Sequence, residues 1–299
     1  MKLSVLMSVY NRESPAYFGQ CLDSLVAQIL PANEVVLVKD GPLGSDLEDV
    51  IARYQLRLPI VSLSLPANVG LGEALRAGLD LCLGEYVARM DSDDICVPER
   101  FQLQTAFLES NRQVDIVGSA WAEFDHDPSN PHSVRILPDT GDALLRYAKL
   151  RTPMNHPTIV FRKASVMDAG SYESFIGFED YHLFARMLLQ GRCLYNLEET
   201  LLYHRVGNGM LSRRRGYDYF KQDVASQFFL HRTGFLSVSE CIRNILLRAP
   251  VRLMPAFAVG LCYKHLLRTR VDRGPGRGAP RDSLEASPPA EEANCSRFP

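Results

Sequence analysis

Residues 85–94, EYVARMDSDD, join a mostly apolar segment to three carboxylates within four positions. The segment 85–91 is typical of a buried strand, and Asp91, Asp93 and Asp94 come at its end. Carboxylates this close repel one another and need a cation or a proton between them. Mg²⁺ and Mn²⁺ bind such oxygens together with substrate phosphates. The stretch therefore predicts a divalent-metal site, with a solvated acidic turn as the alternative.

Three more apolar runs precede this strand, and a helical pattern follows each of them. The runs are 3–10, 33–41 and 59–66, and the helical patterns are 11–30, 45–56 and 68–84. In the second helix, Ser45 and Glu48 have the spacing of a capping box. The alternation of strand and helix predicts right-handed βαβ units and a parallel sheet.

Polar residues stand at the end of each predicted strand: Asn11, Asp40, Asn68 and Asp91. In open α/β sheets, ligands bind beyond the carboxyl ends of the strands. We therefore expect these four side chains to converge on one crevice.

Composition limits the class of protein. The 299 residues are 46% hydrophobic and 23% charged, which is ordinary for a globular chain. The cysteines form no CxxC pair and no cluster with histidine, which argues against a zinc site. No window approaches the roughly 18 uncharged apolar residues of a spanning helix, and the first strand starts too early for a signal peptide. We expect a cytoplasmic protein.

Charge is distributed unevenly along the chain. Residues 1–204 carry a net charge of −10, whereas residues 205–281 carry +11. Within the basic part, residues 238–270 mix apolar side chains with Arg and Lys, a pattern typical of helices in a membrane interface. We expect peripheral association with the cytoplasmic face of the inner membrane. Packing on the catalytic domain or on a second subunit is the alternative, and nucleic-acid binding is not expected.

Six short motifs follow one another in the chain: SVYN (8–11), VKDG (38–41), NVGLGEALRAGL (68–79), MDSDD (90–94), NHPTIVFR (155–162) and FEDYHL (178–183). The set resembles the inverting family-2 glycosyltransferases of GT-A fold, particularly those of bacterial polysaccharide biosynthesis. The resemblance covers about residues 1–220. One departure is Lys39, which stands where the family more often has an acidic residue.

The resemblance implies an α/β architecture with three parts. A GT-A domain over 1–220 would have a Rossmann-like, mostly parallel central sheet flanked by helices. An amphipathic helical extension would cover 221–270. Residues 271–299, rich in Pro, Gly, Ala and Ser, are predicted to form a disordered tail.

The resemblance also implies roles for the matched positions. Eight residues are expected to bind the nucleotide and its sugar: Val9, Tyr10, Asn11, Asp40, Asn68, Gly70, Arg76 and Asp91. Among them, Asp40 would accept a hydrogen bond from the imide N–H of a uracil-type base. Asp93 would coordinate Mn²⁺ or Mg²⁺, which neutralises the leaving UDP. A dTDP donor has the same imide edge and stays open.

Inverting transfer to a saccharide or lipid-linked acceptor also needs one base opposite the leaving group. Asp180, at the start of a predicted helix, is the expected base, and simple charge complementarity with the helix dipole is the alternative. Five further residues are expected on the acceptor or diphosphate side: His156, Glu179, His204, Arg205 and Arg213. For His156 a buried structural role is the alternative, and for the arginines an ordinary solvated basic stretch.

Two other functions compete with the enzyme. A non-catalytic sugar-nucleotide-binding or scaffold protein would keep Asp40 and lose the metal or base carboxylate, whereas Asp93 and Asp180 are both present. A sugar-phosphate nucleotidyltransferase would need a glycine-rich basic loop after the first strand. This chain has NRESP (11–15) there, which also lacks the GxGxxG of an NAD-binding domain.

Overall fold

The computed structural model describes residues 2–175, 177–206, 216–253 and 269–270. Strands and helices alternate through its N-terminal half. The strands are β1 (Leu3–Val9), β2 (Glu34–Lys39), β3 (Ile60–Ser64), β4 (Tyr86–Asp91), β5 (Ile95–Cys96), β6 (Ile116–Phe124), β7 (Ser133–Arg135), β8 (Val160–Arg162), β9 (Leu194–Arg205) and β10 (Thr269–Arg270). The helices are α1 (Pro15–Val26), α2 (Ser45–Tyr54), α3 (Leu71–Leu81), α4 (Arg100–Ser110), α5 (Gly141–Ala148), α6 (Lys163–Asp168), α7 (Glu179–Leu189), α8 (Tyr217–Arg232) and α9 (Val238–Leu253), with a 3₁₀ turn at His156–Thr158.

Four parallel strands form one half of the sheet, in the order β3-β2-β1-β4, with β3 at the end of the strand order. Beyond β4 the sheet continues through antiparallel pairs of β8 with β4 and β6, and of β7 with β6 and β10. Strand β9 runs parallel to β6 and antiparallel to the short β5. The predicted βαβ series and parallel sheet are thus confirmed. The pairing of β5 with β9 connects the acidic stretch, which precedes β5, to the half of the sheet that contains β6.

Apolar side chains cover both faces of the sheet. Alternate residues of β1 point to opposite sides, so that Val5 and Met7 join one cluster and Leu6 joins the other. The first cluster includes side chains of α1, α2 and α4, and the second includes side chains of α3, α6 and α7. Burying each such aliphatic side chain stabilises the fold by roughly 1.5–3 kcal/mol.

The first turn of α2 differs from the prediction. Helix α2 begins at Ser45 with Gly44 as N-cap, and no side chain caps the turn, so the predicted capping box is wrong. Glu48 instead pairs with the Lys39 ammonium at 2.9 Å. The lysine that distinguishes the VKDG motif therefore supports α2 from the end of β2.

The C-terminal helices pack on the core next to α7. Helix α8 runs past residue 220, and its Ser226 Oγ lies 2.8 Å from Nε2 of His182, whose ring stacks on Phe229. Arg248 of α9 pairs with buried Asp223 of α8 at 2.5 Å. Among the described helices, none has the length and hydropathy needed to cross a membrane. The predicted extension beyond Leu253, except residues 269–270, and the predicted tail lie outside the described residues.

Candidate active site

The carboxyl ends of β1, β2 and β4 meet at one edge of the sheet. Val9 lies beside Lys39 in the register of β1 and β2, and Ser8 lies beside Asp91 in that of β1 and β4. The residues that follow these strands therefore leave the sheet together. We call this edge, with the turns that follow it, the rim.

Asp40 anchors one side of the rim and is only 5% exposed. Its carboxylate accepts hydrogen bonds from Asn68 Nδ2 at 2.9 Å and from the N–H groups of Val69 and Gly70 at 2.7 and 3.1 Å. Gly41, with φ of +88°, lets the chain pass close by, because a Cβ there would lie 2.8 Å from the Asn68 nitrogen. Asp40 thus holds the turn that begins α3, and its hydrogen bond to a base stays a prediction.

The other residues predicted to bind the nucleotide differ in how far they are buried. Val9 is buried at the end of β1, and Tyr10 next to it is half-buried. Asn11 Oδ1 accepts the N–H of Gly44 at 2.8 Å, which ties the first rim turn to the start of α2. Arg76 is 54% exposed on α3 and pairs with Glu73 at 2.7 Å, so it lies on the surface of the helix.

The acidic stretch forms a compact group at the end of β4. Ligand oxygens of Asp91, Asp93 and Asp94 lie within 4.8 Å of one another. Burial, and then the charges of Asp94, Asp91 and Glu13, raise the pKa of Asp93 to about 8. Crowded, partly buried carboxylate oxygens with this excess of negative charge fit a hard divalent cation.

Asp94 is fully buried, and its contacts connect the acidic stretch to the end of β9. Both of its carboxylate oxygens lie 3.0 Å from Nδ1 of His204, and one accepts the N–H of Arg205 at 2.9 Å. Burial by itself lowers the pKa of His204, but the charge of Asp94 and its hydrogen bond, with the charges of Asp91 and Asp93, together outweigh burial and raise it. The His204 ring also stacks on Trp121 with centroids 4.1 Å apart. Asp91 and Asp93 are therefore the members of the group that can face a metal.

Arg205 is buried behind the acidic stretch. Its guanidinium lies over the rings of Tyr17 and Phe124 at 3.9 and 4.5 Å, and it donates to the Asp93 carbonyl at 3.0 Å. In this position Arg205 fixes the turn that presents Asp93. Contact of His204 and Arg205 with a diphosphate stays a prediction, and Arg213 lies outside the described residues.

The predicted base stands in the first turn of α7. Asp180 Oδ1 accepts the N–H of Tyr181 at 2.7 Å, and Thr152 Oγ1 lies 3.2 Å from Oδ2. Burial, and then the charge of Asp180, raise the pKa of neighbouring Glu179 to about 7. A Cβ on Gly72 of α3 would collide with the Glu173 carbonyl oxygen and lie 3.1 Å from Glu179 Cβ, so α3 needs a glycine where it packs against the segment that leads into α7.

His156, predicted on the acceptor or diphosphate side, is buried next to Tyr172 and Phe184. Its Nε2 lies 3.0 Å from the Tyr172 hydroxyl, and its ring meets Phe184 edge-on. Burial, and then the charge of Arg89, lower the pKa of His156 well below its usual value, so the ring is neutral. This is the environment of a structural histidine, and contact with the acceptor stays a prediction.

Three polar residues that sequence reasoning missed support the site. Arg89 Nη2 pairs with Asp91, and buried Arg100 donates to the Arg89 carbonyl at 2.8 Å. Glu13 accepts the Ser92 hydroxyl at 2.6 Å and so ties the first rim turn to the acidic stretch. Arg89 could have been recognised from the sequence, because a charged residue inside an apolar strand needs a partner.

Comparison with known proteins places the chain in a family. Residues 4–170 match the family model described as glycosyl transferase family 2. The amylovoran biosynthesis glycosyltransferase AmsE of Erwinia amylovora is 40% identical over 264 residues, which are 87% of this chain and 97% of AmsE. The UDP-Gal:alpha-D-GlcNAc-diphosphoundecaprenol beta-1,3-galactosyltransferase of Escherichia coli is 33% identical over 267 residues, 89% of this chain and 97% of that enzyme.

Solved structures share the fold at lower identity. TarS 1–349 of S. aureus in complex with UDP-GlcNAc superposes with a TM-score of 0.61 and 22% identity, over 76% of this chain and 66% of that one. The mannosyltransferase PcManGT of Pyrobaculum calidifontis, in complex with GDP-Man and Mn²⁺, also gives 0.61, at 16% identity over 88% and 73% of the two chains. By the family match, the relatives and this shared fold, the chain belongs to glycosyl transferase family 2 and has the GT-A fold.

Proposed function

We propose that this chain is an inverting glycosyltransferase of polysaccharide biosynthesis, which moves a sugar from a UDP-sugar to a hydroxyl of a lipid-linked saccharide. The observation that carries the proposal is the group of carboxylates at the end of β4, where ligand oxygens of Asp91 and Asp93 lie within 4.8 Å of each other at the rim. Such a pair can hold a divalent cation for a nucleoside diphosphate. Burial raises the pKa of the Tyr172 hydroxyl, and the charges of Asp180, Glu179 and Asp91 all add to the rise, which supports one crevice for both acidic groups.

The two groups suit different steps of one displacement. Asp91 and Asp93 would hold a divalent cation, which when bound neutralises the charge on the leaving nucleoside diphosphate. Asp180 takes the proton of the acceptor hydroxyl while the hydroxyl oxygen attacks the anomeric carbon and the bond from that carbon to the diphosphate breaks. Thr152 and the Tyr181 N–H orient the Asp180 oxygens for this task. Attack opposite the leaving group inverts the configuration.

Donor and acceptor are proposed from chemistry and from the relatives. The Escherichia coli relative carries UDP-Gal and a diphosphoundecaprenol-linked sugar in its name, and the TarS structure contains UDP-GlcNAc. The GDP-Man complex of PcManGT shows that this fold also accepts a purine nucleotide. Retention of both Asp93 and Asp180 supports an enzyme over a non-catalytic sugar-nucleotide-binding protein.

A panel of nucleotide sugars tests the donor. With Mn²⁺ present, a UDP-sugar at about 100 times its Kd should raise the Tm by about 5 °C, because binding at that excess adds ~2.7 kcal/mol. EDTA should remove the shift, and transfer to a lipid-linked saccharide should follow the same donor. A shift with GDP-mannose and none with any UDP-sugar or dTDP-sugar would contradict the proposed donor class.

We also propose that α9 brings the enzyme to an anionic membrane surface, where a lipid-linked acceptor would be found. Val238, Ile242 and Leu246 are 59%, 53% and 67% exposed, although all three are apolar. Their spacing of four residues puts them along one side of the helix. Exposed Arg243 and Arg232 stand close in sequence and suit anionic headgroups.

Vesicle flotation tests the membrane contact. Leu246→Glu should weaken binding to phosphatidylglycerol vesicles by about tenfold or more, because it places a charge where an apolar side chain would be buried. Gln102→Glu adds the same charge to an exposed polar position of α4, outside this stripe, and should bind nearly as well as the unchanged protein. Equal loss in both variants, or unchanged binding by Leu246→Glu, would rule out this stripe.

A further inference from the structure

The loop after α5 carries the hydroxyl that contacts the proposed base. Helix α5 ends at Ala148, and Thr152 follows in this loop. Thr152 Oγ1 donates to Asp180 Oδ2 at 3.2 Å. Because Oδ1 of the same carboxylate accepts the Tyr181 N–H at 2.7 Å, these two donors determine which way the carboxylate points. The orientation of the base therefore depends on where the loop holds Thr152.

Three successive carbonyl groups at the end of α5 accept hydrogen bonds from side chains of other helices. Carbonyl groups at the end of a helix lack partners within the helix and need donors from elsewhere. The Ala148 carbonyl accepts the hydroxyl of Tyr181, the residue next to the proposed base, at 2.5 Å. The carbonyls of Lys149 and Leu150 accept donors from α9. The start of the loop is thus fixed by α7 and α9 together.

Asn244 and Arg248 are the side chains of α9 that supply these donors. Asn244 is only 1% exposed, and its Nδ2 donates to the Lys149 carbonyl at 2.7 Å. Arg248 Nη2 donates to the Leu150 carbonyl at 2.5 Å. The other end of the guanidinium is fixed as well, because Arg248 Nη1 pairs with buried Asp223 of α8 at 2.5 Å. Both donors are therefore held in place by the helix pair.

The end of α5 also donates to the two C-terminal helices. Lys149 Nζ donates to the Phe235 carbonyl, in the turn between α8 and α9, and lies 3.6 Å from Glu240 of α9. Asn244 Nδ2 additionally donates to Gln227 Oε1 of α8 at 3.0 Å. A shift of the loop that carries Thr152 would therefore have to break several of these bonds.

We propose that two side chains of α9, Asn244 and Arg248, are positioning residues for the transfer reaction. They hold residues 149–152 in place, and Thr152 in turn orients the Asp180 carboxylate. The inference rests on the proposed role of Asp180 as base. A group that takes a proton in the transition state must be held in one geometry, since small displacements of a catalytic group are costly in rate. The two side chains act through Thr152 and need no contact with the substrate.

Transfer rates and UDP binding, measured side by side, test this role. Arg248→Gln removes the guanidinium that holds the Leu150 carbonyl, so kcat should fall by about 10-fold while the Kd for UDP stays within about twofold. Asn244→Leu has a similar volume and no donor, and should give a loss of similar size. Arg57→Gln is the matched control, because Arg57 is exposed and pairs with Asp23 on the surface. It should leave both quantities unchanged.

A double-mutant cycle with Thr152→Val decides whether the effect passes through the Thr152 hydroxyl. Thr152→Val keeps the shape of the side chain and loses the donor, so kcat should fall by about 10-fold, whereas Thr152→Ser keeps a hydroxyl and should retain most of the rate. In the Thr152→Val background, Arg248→Gln should lower kcat by less than about twofold more. Losses that multiply in the double mutant, or an unchanged kcat in Arg248→Gln, would overturn the inference.

Rates are expressed per UDP-binding site, so that a misfolded fraction does not count as a slow enzyme. If Arg248→Gln fails to fold, Asn244→Leu takes its place in the cycle with the same two outcomes. A full rate in Thr152→Val counts against the inference whichever variant of α9 is used. Full transfer by Asp180→Asn would instead refute the proposed base. An inactive Asp180→Asn beside α9 variants of unchanged rate would refute only the role of α9.

Discussion

Asp180→Asn should lower kcat by about 10²–10⁴-fold while UDP-sugar binding stays within about threefold. Asparagine has nearly the shape of aspartate: its Oδ1 can still accept the Tyr181 N–H, and its Nδ2 can donate to the Thr152 hydroxyl oxygen in place of the hydrogen bond that the carboxylate accepts. It cannot take the proton of an acceptor hydroxyl at neutral pH. The loss should therefore appear in the chemical step alone.

Single-turnover transfer and calorimetric titration with UDP separate the two quantities. Asp168→Asn is a matched control, because Asp168 is exposed and pairs with Arg192 at the end of α6. It should transfer sugar at the unchanged rate. Full transfer by Asp180→Asn would show that another group accepts the proton, and a parallel loss of UDP binding would point to a damaged fold.

Asp93→Asn should weaken Mn²⁺-dependent donor binding by about 100-fold or more, since one charged ligand oxygen is lost from the acidic stretch. Asp93 is half-buried among other carboxylates, and desolvation together with their charges raises its pKa. A neutral side chain relieves this repulsion, so the Tm of the metal-free variant should equal or exceed that of the unchanged protein. Loss of the metal-induced shift in Tm without loss of stability is the signature to look for.

Scanning calorimetry with and without Mn²⁺ measures both effects. Asp168→Asn again serves as the control and should keep the full metal-induced shift. A variant that still gains the unchanged shift with Mn²⁺ and UDP would exclude Asp93 as a ligand. A large drop in the Tm of the metal-free variant would mean that Asp93 is needed for the turn itself.

Much of the architecture follows from local patterns. Each apolar run and each amphipathic segment lies within about a dozen residues, so periodicity shows strands and helices without knowledge of their neighbours. The βαβ rhythm then places strand ends at one edge, and Asp40 and Asn68 meet there in a hydrogen bond while Asp91 ends the neighbouring β4. The convergence of Asn11, Asp40, Asn68 and Asp91 on one crevice stays a prediction. The family motifs added Asp180 to the candidate site residues, and its role as base stays a prediction.

Burial and pairing between distant segments could not be predicted in this way. Asp94 meets His204 across 110 residues, and that contact removes one carboxylate of the acidic stretch from the crevice. Arg205, predicted on the acceptor or diphosphate side with a solvated basic stretch as the alternative, is buried behind Asp93, whereas Arg76 stays on a helix surface. The capping box failed for a similar reason, since Glu48 found Lys39 on a neighbouring strand.

The local order of apolar and polar residues thus determined the sheet and the edge at which its polar residues gather. It also carries the motifs of the family to which the chain belongs. Which carboxylates can face a metal and which pair with buried side chains depended on how β4, β9 and α7 pack together. Desolvation and charge act through space between segments far apart in the chain. Arg205 shows the difference: its place in β9 is local, but its contact with the Asp93 carbonyl from behind the acidic stretch exists only in the folded protein.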